Sequence, residues 1–281
     1  MADLRVTLLV ENTAGRRGLL GEHGLALWIE RGDTHILFDT GQGEVLLHNA
    51  SQLDIDLATA DAIVLSHGHY DHTGGLAGAL ETLGRTIPLY AHPAAFEPKY
   101  ARNPDGTGRA IGIPAADARA ANDLADLRWV DRPTEIGGGI TLTGPVPRTT
   151  DFEDTGGAFF TDAACTTGDP LTDDQAAFVD TPAGTVALLG CAHAGVINTL
   201  RTIRRLTGGR PIHAVLGGMH LLNASPERMD RTIAELDLLD IPRLLPCHCT
   251  GPAAVARLRR EWPDRCEACP TGTVVTFDGC T

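Results

Sequence analysis

The 281-residue sequence contains very little lysine and few aromatic residues. Lys99 is the only lysine among 23 basic residues, and aromatic side chains make up 5% of the chain. The 36 acidic residues outnumber the basic ones, which gives a formal net charge of −13. Because proteins that bind the phosphate backbone of nucleic acids carry a basic face, we expect no nucleic-acid partner. A few local cations could still hold a small anionic substrate.

Long hydrophobic runs are also absent. No stretch reaches the roughly 18 uninterrupted apolar residues that a membrane helix needs, and the most apolar stretch, 186–197, is interrupted by His193 and by glycine. Residues 1–6 include an acidic residue and lead directly into a strand-like pattern, so we expect no signal peptide. Seven cysteines, an odd number in a long chain, favour a reducing compartment. We therefore expect a cytoplasmic protein with no membrane partner.

The late cysteines do not form a convincing structural zinc site. Cys266 and Cys269 make a single C-x-x-C pair, and the only sulfur near them is Cys280. A structural zinc site needs four ligands. We therefore interpret this pair as simple buried or surface thiols.

Two common catalytic motifs are missing. The sequence contains no G-x-x-x-x-G-K-[ST], which argues against nucleotide chemistry through that phosphate-binding loop. It also contains no G-x-S-x-G, so nothing indicates a serine nucleophile of that type.

Both halves of the chain begin with strand-like pairs and continue as strand, loop and helix units. The hydrophobic patterns predict strands at 5–10, 24–30, 34–38, 62–65, 88–91, 127–130, 140–143, 176–180, 185–189, 212–216, 243–246 and 273–277. They predict helices at 44–50, 76–83, 196–207, 226–238 and 252–261. No linker separates the halves, so we predict a single domain over residues 1–281.

Two stretches show no clear period. Residues 101–126 are rich in alanine and glycine, and we interpret them as an irregular insertion with room for one short helix. Residues 151–174 are polar and contain glycine, which predicts a long loop. Loops of that length in a compact domain are usually functional or mobile.

Five of the eleven histidines stand just after predicted strands and beside glycine. They are His67, His69, His193, His220 and His248. Strand ends in a layered α/β protein meet at one edge, which is where ligand sites form. The sequence therefore predicts a histidine-lined site at a sheet edge.

The strongest local signal is the segment SHGHYDHTGG at residues 66–75. In an extended loop His67 and His69 point the same way and can chelate one ion, whereas Asp71 and His72 enter the next helix and point towards a second. Nitrogen and carboxylate ligands suit Zn²⁺, and also Fe or Mn. H-x-H-x-D-H after an apolar strand is far more specific than H-x-H alone. We therefore predict one or two divalent metal ions, with zinc favoured over manganese and iron; a histidine-rich surface turn is the alternative.

This segment resembles the central motif of the metallo-β-lactamase-fold superfamily. The FDTG sequence at 38–41 upstream and His248 after a late strand follow in the same order as in that family. GCAHAG at 190–195, GGMHL at 217–221 and HCTG at 248–251 are similar to the branch related to archaeal dihydropterin ribofuranosyl-aminobenzene phosphate synthase. The resemblance implies an α/β fold: an αββα sandwich of two mixed sheets, with helices on both outer faces and metal at one edge.

The resemblance implies five metal ligands directly and one bracing residue. The ligands are His67, His69, Asp71, His72 and His248. Asp39 matches an aspartate that braces the metal loop, with an ordinary turn aspartate as the alternative. Two departures stand out. GPVPR at 144–148 occupies the place where many members have Gly-His, and Gly190-Cys191 occupies the place of a bridging aspartate.

Three further residues are candidates for the incomplete ligand shell. His193 is the natural substitute for the missing histidine. His220 could be a ligand, a partner of a ligand, or an acid or base that faces substrate. Cys191 could bind metal as a thiolate, but we favour a small core thiol.

Two residues are candidates for substrate contact. His23 lies in the GEHG segment at 21–24, which matches the resembling branch, and a loop role is the alternative. Arg148 follows a predicted strand and could meet an anionic substrate, or it could be a solvated loop residue. His35, His48 and His213 are predicted to be structural.

Hydrolysis is the leading functional hypothesis. A metal held by neutral histidines with one open position lowers the pKa of bound water to about 7 and supplies hydroxide. The expected substrate is an ester, lactone, amide or phosphoester of a small molecule, with Asp71 orienting the water and His220 as acid or base. A synthase or transferase acting on a pterin-like or phosphorylated substrate, an iron-dependent redox enzyme and a metal-dependent binding protein remain alternatives. A homodimer is possible on general grounds.

Overall fold

Two large β-sheets face each other at the centre of the computed structural model, which describes residues 4–277. The strands in these residues are β1 (Leu4–Val10), β2 (Ala26–Arg31), β3 (Thr34–Phe38), β4 (Ala62–Val64), β5 (Pro88–Ala91), β6 (Tyr100–Arg102), β7 (Gly108–Ala110), β8 (Asp126–Trp129), β9 (Thr134–Gly137), β10 (Ile140–Leu142), β11 (Phe159–Phe160), β12 (Ala176–Thr181), β13 (Gly184–Leu189), β14 (Ile212–Gly218), β15 (Arg243–Cys247) and β16 (Val274–Phe277). The helices are α1 (Leu46–Gln52), α2 (Tyr70–Thr73), α3 (Leu76–Leu83), α4 (Ala115–Leu124), α5 (Val196–Leu206), α6 (Pro226–Leu238) and α7 (Pro252–Glu261).

Each large sheet combines antiparallel and parallel pairs. The first has seven strands in the order β16-β1-β2-β3-β4-β5-β8, and the second has six in the order β15-β14-β13-β12-β10-β9. The pairs β3–β4, β4–β5 and β5–β8 are parallel in the first sheet, as are β13–β14 and β14–β15 in the second. Because the carboxyl ends of parallel strands share one edge, the loops after β3, β4, β13, β14 and β15 can converge there.

The central core lies between the two sheets, and a second layer of apolar residues covers the outer face of the strands. On β2, Leu27 and Ile29 point into this core, whereas Ala26 and Trp28 point to the outer face. The second sheet contributes Val186 and other inward residues of β10, β12, β14 and β15 to the same core. Strands buried on both faces are expected where helices cover the outside of a sheet.

Helices cover both outer faces. Residues of α1, α3 and α4 pack on the first sheet, and residues of α5, α6 and α7 pack on the second. The predicted αββα sandwich of two mixed sheets is therefore confirmed. Within residues 4–277, none of the helices combines the length and apolar character needed to cross a bilayer.

The stretch predicted as an irregular insertion is more regular than expected. Residues 101–126 carry most of the β6–β7 hairpin and the whole of α4, a helix of ten residues. The hairpin pairs with β11, which lies in the predicted loop at 151–174, to form a small third sheet. Strands of two or three residues are too short to show a period of two, which is why the sequence did not reveal them.

The chain at 151–174 is fastened to the second half of the fold. Glu153 caps the start of α5, because its two carboxylate oxygens accept hydrogen bonds from Ile197 N at 2.8 Å and Asn198 N at 2.9 Å. Arg228 of α6 forms an ion pair with Asp154. Cys280 and residues 1–3, which enter the zinc-site and signal-peptide expectations, lie outside the described residues.

Candidate metal centre

Three buried histidines converge at the edge where the two sheets meet. His67 and His69 follow β4, and His193 follows β13; one ligand atom from each lies within 4.8 Å of the others. His67 Nε2 is 3.0 Å from His69 Nδ1. Two nitrogens bound to one tetrahedral zinc would be about 3.3 Å apart. We call His67, His69 and His193 the histidine set.

The histidine set fits a metal ion better than it fits a hydrogen-bonded cluster. His193 Nε2 is buried and has no hydrogen-bond partner within residues 4–277. Burial lowers the pKa of all three imidazoles, that of His69 to about 3, so they stay neutral and keep a lone pair. A buried polar atom without a partner is costly, and a cation at the centre of the set would satisfy His193 Nε2.

Neutral hydrogen-bond acceptors orient the imidazole rings of His67 and His193. Ser66 Oγ donates to Asp39 Oδ2 at 2.7 Å and can therefore accept from His67 Nδ1 at 3.0 Å. His193 Nδ1 lies 2.8 Å from the carbonyl oxygen of Thr155, which can only accept. Both rings therefore carry their proton on Nδ1 and direct the Nε2 lone pair into the set, the arrangement that orients metal-binding histidines.

A second group beside the first contains a carboxylate. Asp71 Oδ2 is 3.5 Å from His248 Nε2 and 3.9 Å from His72 Nε2, and the two Nε2 atoms are 3.1 Å apart. We call Asp71, His72 and His248 the carboxylate set. His23 Nε2 lies 3.2 Å from the same Asp71 oxygen, and the His23 side chain is 52% exposed.

Hydrogen bonds also orient the imidazole rings of the carboxylate set, but here most of the acceptors are acidic side chains. His72 Nδ1 donates to Asp39 Oδ2 at 2.7 Å, and His248 Nδ1 donates to Asn12 Oδ1 at 3.0 Å. Glu11 Oε1 accepts from the backbone N–H of His248 at 2.9 Å. Asp39 thus braces both sets, as the resemblance implied, because it also holds Ser66.

The charges of the carboxylate set favour a cation. Burial opposes ionisation of Asp71, but His72, His23 and His248 outweigh it and hold its pKa well below the ordinary value. Burial likewise opposes a charged His72, yet Asp39 and Asp71 raise its pKa to about 9. The negative charges of Asp39 and Asp71 therefore favour a cation at this set.

Cys191 lies between the two sets. Its sulfur is 3.1 Å from His72 Nε2. It groups with His67 and His72, with His193 and His220, and with His248 and Cys249. Burial raises the pKa of the Cys191 thiol, so a thiolate there requires a nearby cation. The structure thus differs from our preference for a core thiol, because the sulfur faces the donor atoms of both sets.

His220 stands at the outer side of the histidine set. Its ring centroid is 4.2 Å from that of His193, and its backbone has φ 45°. A Cβ at Gly156 would overlap the His220 ring, so this glycine lets the 151–174 chain close over the ring. Asp39, Ala192 and His248 also have left-handed backbone, a strain that is common where loops position functional groups.

A cleft of about 290 Å³ opens over both sets. His23 lines the cleft beside the carboxylate set, and its contact with substrate stays a prediction. Arg148 does not line the cleft. Its guanidinium donates to the carbonyl oxygens of His193 at 2.7 Å and Pro170 at 2.8 Å. Arg148 therefore braces the chain behind His193, which corrects the prediction that it contacts substrate.

The sequence analysis missed several residues that shape the site. Phe159 and Arg109 line the cleft from the small third sheet. Lys99 is buried and contacts both Asp169 and Asp173, and Asp173 Oδ2 accepts from Gly68 N at 2.7 Å. The spacing of these residues along the sequence does not reveal their contacts. The one available hint was that Lys99 is the single lysine in an arginine-rich chain.

Cys266 and Cys269 lie away from the metal centre. Neither belongs to any of the candidate metal groups found within residues 4–277. Cys266 packs in the outer core of the second sheet, and Cys269 packs in the central core.

The chain folds as an αββα sandwich, and one sheet edge carries two adjoining sets of imidazole and carboxylate donors. This combination is typical of a metalloprotein. The model of the metallo-beta-lactamase superfamily matches residues 20–248. The chain therefore belongs to this superfamily.

Three relatives match nearly the whole chain. A 7,8-dihydropterin-6-methyl-4-(beta-D-ribofuranosyl)-aminobenzene-5'-phosphate synthase of Methanocaldococcus jannaschii is 29% identical, covering 98% of this chain and 97% of its own. An uncharacterized protein of the same organism is 33% identical, covering 90% and 93%. The crystal structure of Tm1679, described as a metal-dependent hydrolase of the beta-lactamase superfamily, has a TM-score of 0.83 at 30% identity and covers 98% and 99%.

Proposed function

We propose that this protein is a metal-dependent hydrolase that cleaves an ester, lactone, amide or phosphoester of a small molecule. The observation that carries the proposal is the pair of adjoining donor sets below a small cleft. Each set offers three donors that lie close together, and the cleft leaves space above them for a substrate. Open coordination beside a cleft is typical of catalytic metal sites.

The residues present suit two divalent ions, and we propose zinc. The histidine set would hold one ion, and the carboxylate set would hold the other, with the Cys191 sulfur within reach of both. Imidazole, carboxylate and thiolate together are a donor combination that zinc accepts well. Ions held there would supply activated water and polarise the bond to be cleaved.

The protein's own groups have separate tasks. Asp71 accepts from His23 and can hold and orient a water molecule at the carboxylate set. His220 faces the cleft beside His193, and its Nδ1 has no partner within the described chain. It is therefore available to give or take a proton at a leaving group.

The relatives support two chemistries at this one site. Tm1679 carries the description of a hydrolase, whereas the M. jannaschii relative is named as a synthase. A synthase or transferase acting on a phosphorylated or pterin-like substrate is therefore the second candidate. Both candidates use the same donors, and they differ in whether water or a second substrate receives the transferred group.

Metal content and a substrate panel in ¹⁸O-labelled water test the proposal. The protein is loaded separately with zinc, manganese or ferrous iron, and incubated with esters, lactones, amides and phosphodiesters. Hydrolysis predicts metal-dependent turnover with ¹⁸O in the product, and His213→Ala serves as a control variant distant from the site. Turnover that requires a second organic substrate and leaves ¹⁸O out of the product would support the synthase instead. A chain that binds no metal would overturn both.

A further inference from the structure

Three residues of the small third sheet form a row across the cleft. Phe159 of β11 pairs directly with Ala101 of β6, and Ala101 pairs directly with Arg109 of β7. Residues directly opposite in paired strands project from the same face of the sheet. All three line the cleft, whereas the next residue, Ala110, lines a different cavity on the other face. We call Phe159, Ala101 and Arg109 the cleft row.

One end of the cleft row lies at the metal centre. The Phe159 ring centroid is 5.0 Å from that of His69 and 5.3 Å from that of His193. Neighbouring strands are about 4.8 Å apart, so the backbone of Arg109 lies about 10 Å from that of Phe159. The cleft row therefore extends outward from the histidine set, with Phe159 at its inner end and Arg109 at its outer end. Ala101, a small side chain between the two ends, leaves open space above the middle of the row.

The outer end of the row carries an uncompensated positive charge. Arg109 makes no ion pair or side-chain hydrogen bond with any residue of the described chain, and no other arginine or lysine lines the cleft. Its neighbour Arg102, on the opposite face, donates to Cys165 O and stacks over Phe160. Arg148 donates to two backbone carbonyls. Arg109 is thus the cleft cation with its donors free.

We propose that the cleft row selects a substrate with an anionic group at its far end, two strand spacings along the row from the end that reacts at the metals. The proposal rests on the function proposed above and names its substrate class. A carboxylate or phosphate would pair with the Arg109 guanidinium, whose planar donors match both groups. The intervening apolar part would lie over Ala101 and against the Phe159 ring. Ile111, two residues after Arg109, extends the same apolar wall.

Chelating probes with a distal charge test this geometry without needing the natural substrate. Linear hydroxamates with a terminal carboxylate, in a series of increasing methylene number, are titrated into the zinc-loaded protein by calorimetry. Each acid is compared with the hydroxamate that ends in a neutral carboxamide. We expect the acid to bind about tenfold more tightly than its amide at the chain length that spans the row, and less so at shorter lengths.

Matched variants then assign the preference to one residue. Arg109→Gln should abolish the preference for the acid while leaving amide binding unchanged, and Arg109→Lys should keep part of it. Arg259→Gln, which removes an equal charge from the exposed surface of α7, should keep all of it. Equal binding of acid and amide by the wild type, or a preference that survives Arg109→Gln, would overturn the inference alone. Failure of every hydroxamate to bind would instead overturn the metal site, and the inference with it.

Discussion

The two donor sets stand side by side at one sheet edge, but they differ in charge. The histidine set consists of three neutral imidazoles, and its bracing acceptors are a hydroxyl and a backbone carbonyl. The carboxylate set contains Asp71 and is held by Asp39 and Glu11. An ion in the histidine set is therefore selected by geometry, whereas an ion in the carboxylate set is also favoured by negative charge.

The arrangement of the two sets predicts that metal binding and folding are coupled in this protein. Each set takes ligands from the loop after β4 of the first sheet and from a loop of the second sheet. Neither set can form until the two sheets pack against each other. A bound ion consequently stabilises the packing of the halves, because it binds the folded chain and not the unfolded one.

The strongest test of the comparison removes a ligand from the histidine set. His69→Ala removes one of the three imidazoles of that set and leaves the shared Cys191 sulfur as the one further donor, so we expect about one equivalent of metal to be lost. Turnover should fall by about three orders of magnitude or more, because no charge in the set can compensate. Elemental analysis and turnover on the substrate found in the panel measure both effects. His213→Ala is the control, and wild-type metal content and rate in His69→Ala would contradict the assignment.

Asp71→Asn tests the role of charge in the other set. The substitution keeps the shape and a carbonyl oxygen but removes the negative charge, so it should release the ion of the carboxylate set. We expect turnover to fall by about two orders of magnitude while the histidine set keeps its ion. Metal stoichiometry, melting temperature and turnover are measured on one preparation.

A helix-capping role for Asp71 predicts a different pattern. Asp71 lies in the first turn of α2. Loss of a cap costs about 1 kcal/mol of stability and would barely change the rate of the folded fraction. Near-normal turnover with a lowered melting temperature would therefore exclude Asp71 from the chemistry and leave only the histidine set as a working centre.

Cys191→Ser asks whether the two sets share a ligand. In the cobalt-substituted protein a thiolate ligand gives a near-ultraviolet charge-transfer band, and we expect that band to disappear in the variant. Turnover should fall by about tenfold, because both ions lose a common anionic donor. The double variant Cys266→Ser/Cys269→Ser is the control and should keep the band and a rate within a few-fold of wild type. Survival of the band in Cys191→Ser would assign it to Cys249 and separate the two sets.

The sequence predicted the architecture and the position of the site well, because both depend on local signals. Four of the apolar strands, β4, β13, β14 and β15, are followed by histidine, so the convergence of His67, His193 and His248 could be expected from topology. Cys191 was underrated because its strand position indicates burial but not which way its sulfur points. Arg109 and Phe159 escaped notice because their strands are too short for a pattern and their pairing joins distant parts of the chain.

We expect the smallest change in rate from a substitution of Lys99, which supports the loop of the histidine set only. Lys99 is buried between Asp169 and Asp173, and Asp173 holds the amide of Gly68 between two ligands. Lys99→Met leaves two buried carboxylates unpaired, so we expect the free energy of unfolding to fall by about 3–5 kcal/mol. Zinc affinity of the histidine set should fall by about tenfold, as for other residues that support a ligand, while turnover at saturating zinc stays within a few-fold. Denaturant unfolding, zinc titration and kinetics check this, with Lys99→Arg as the charge-retaining control. A rate loss as large as that of Asp71→Asn would show that the brace acts on the chemistry and not only on the loop.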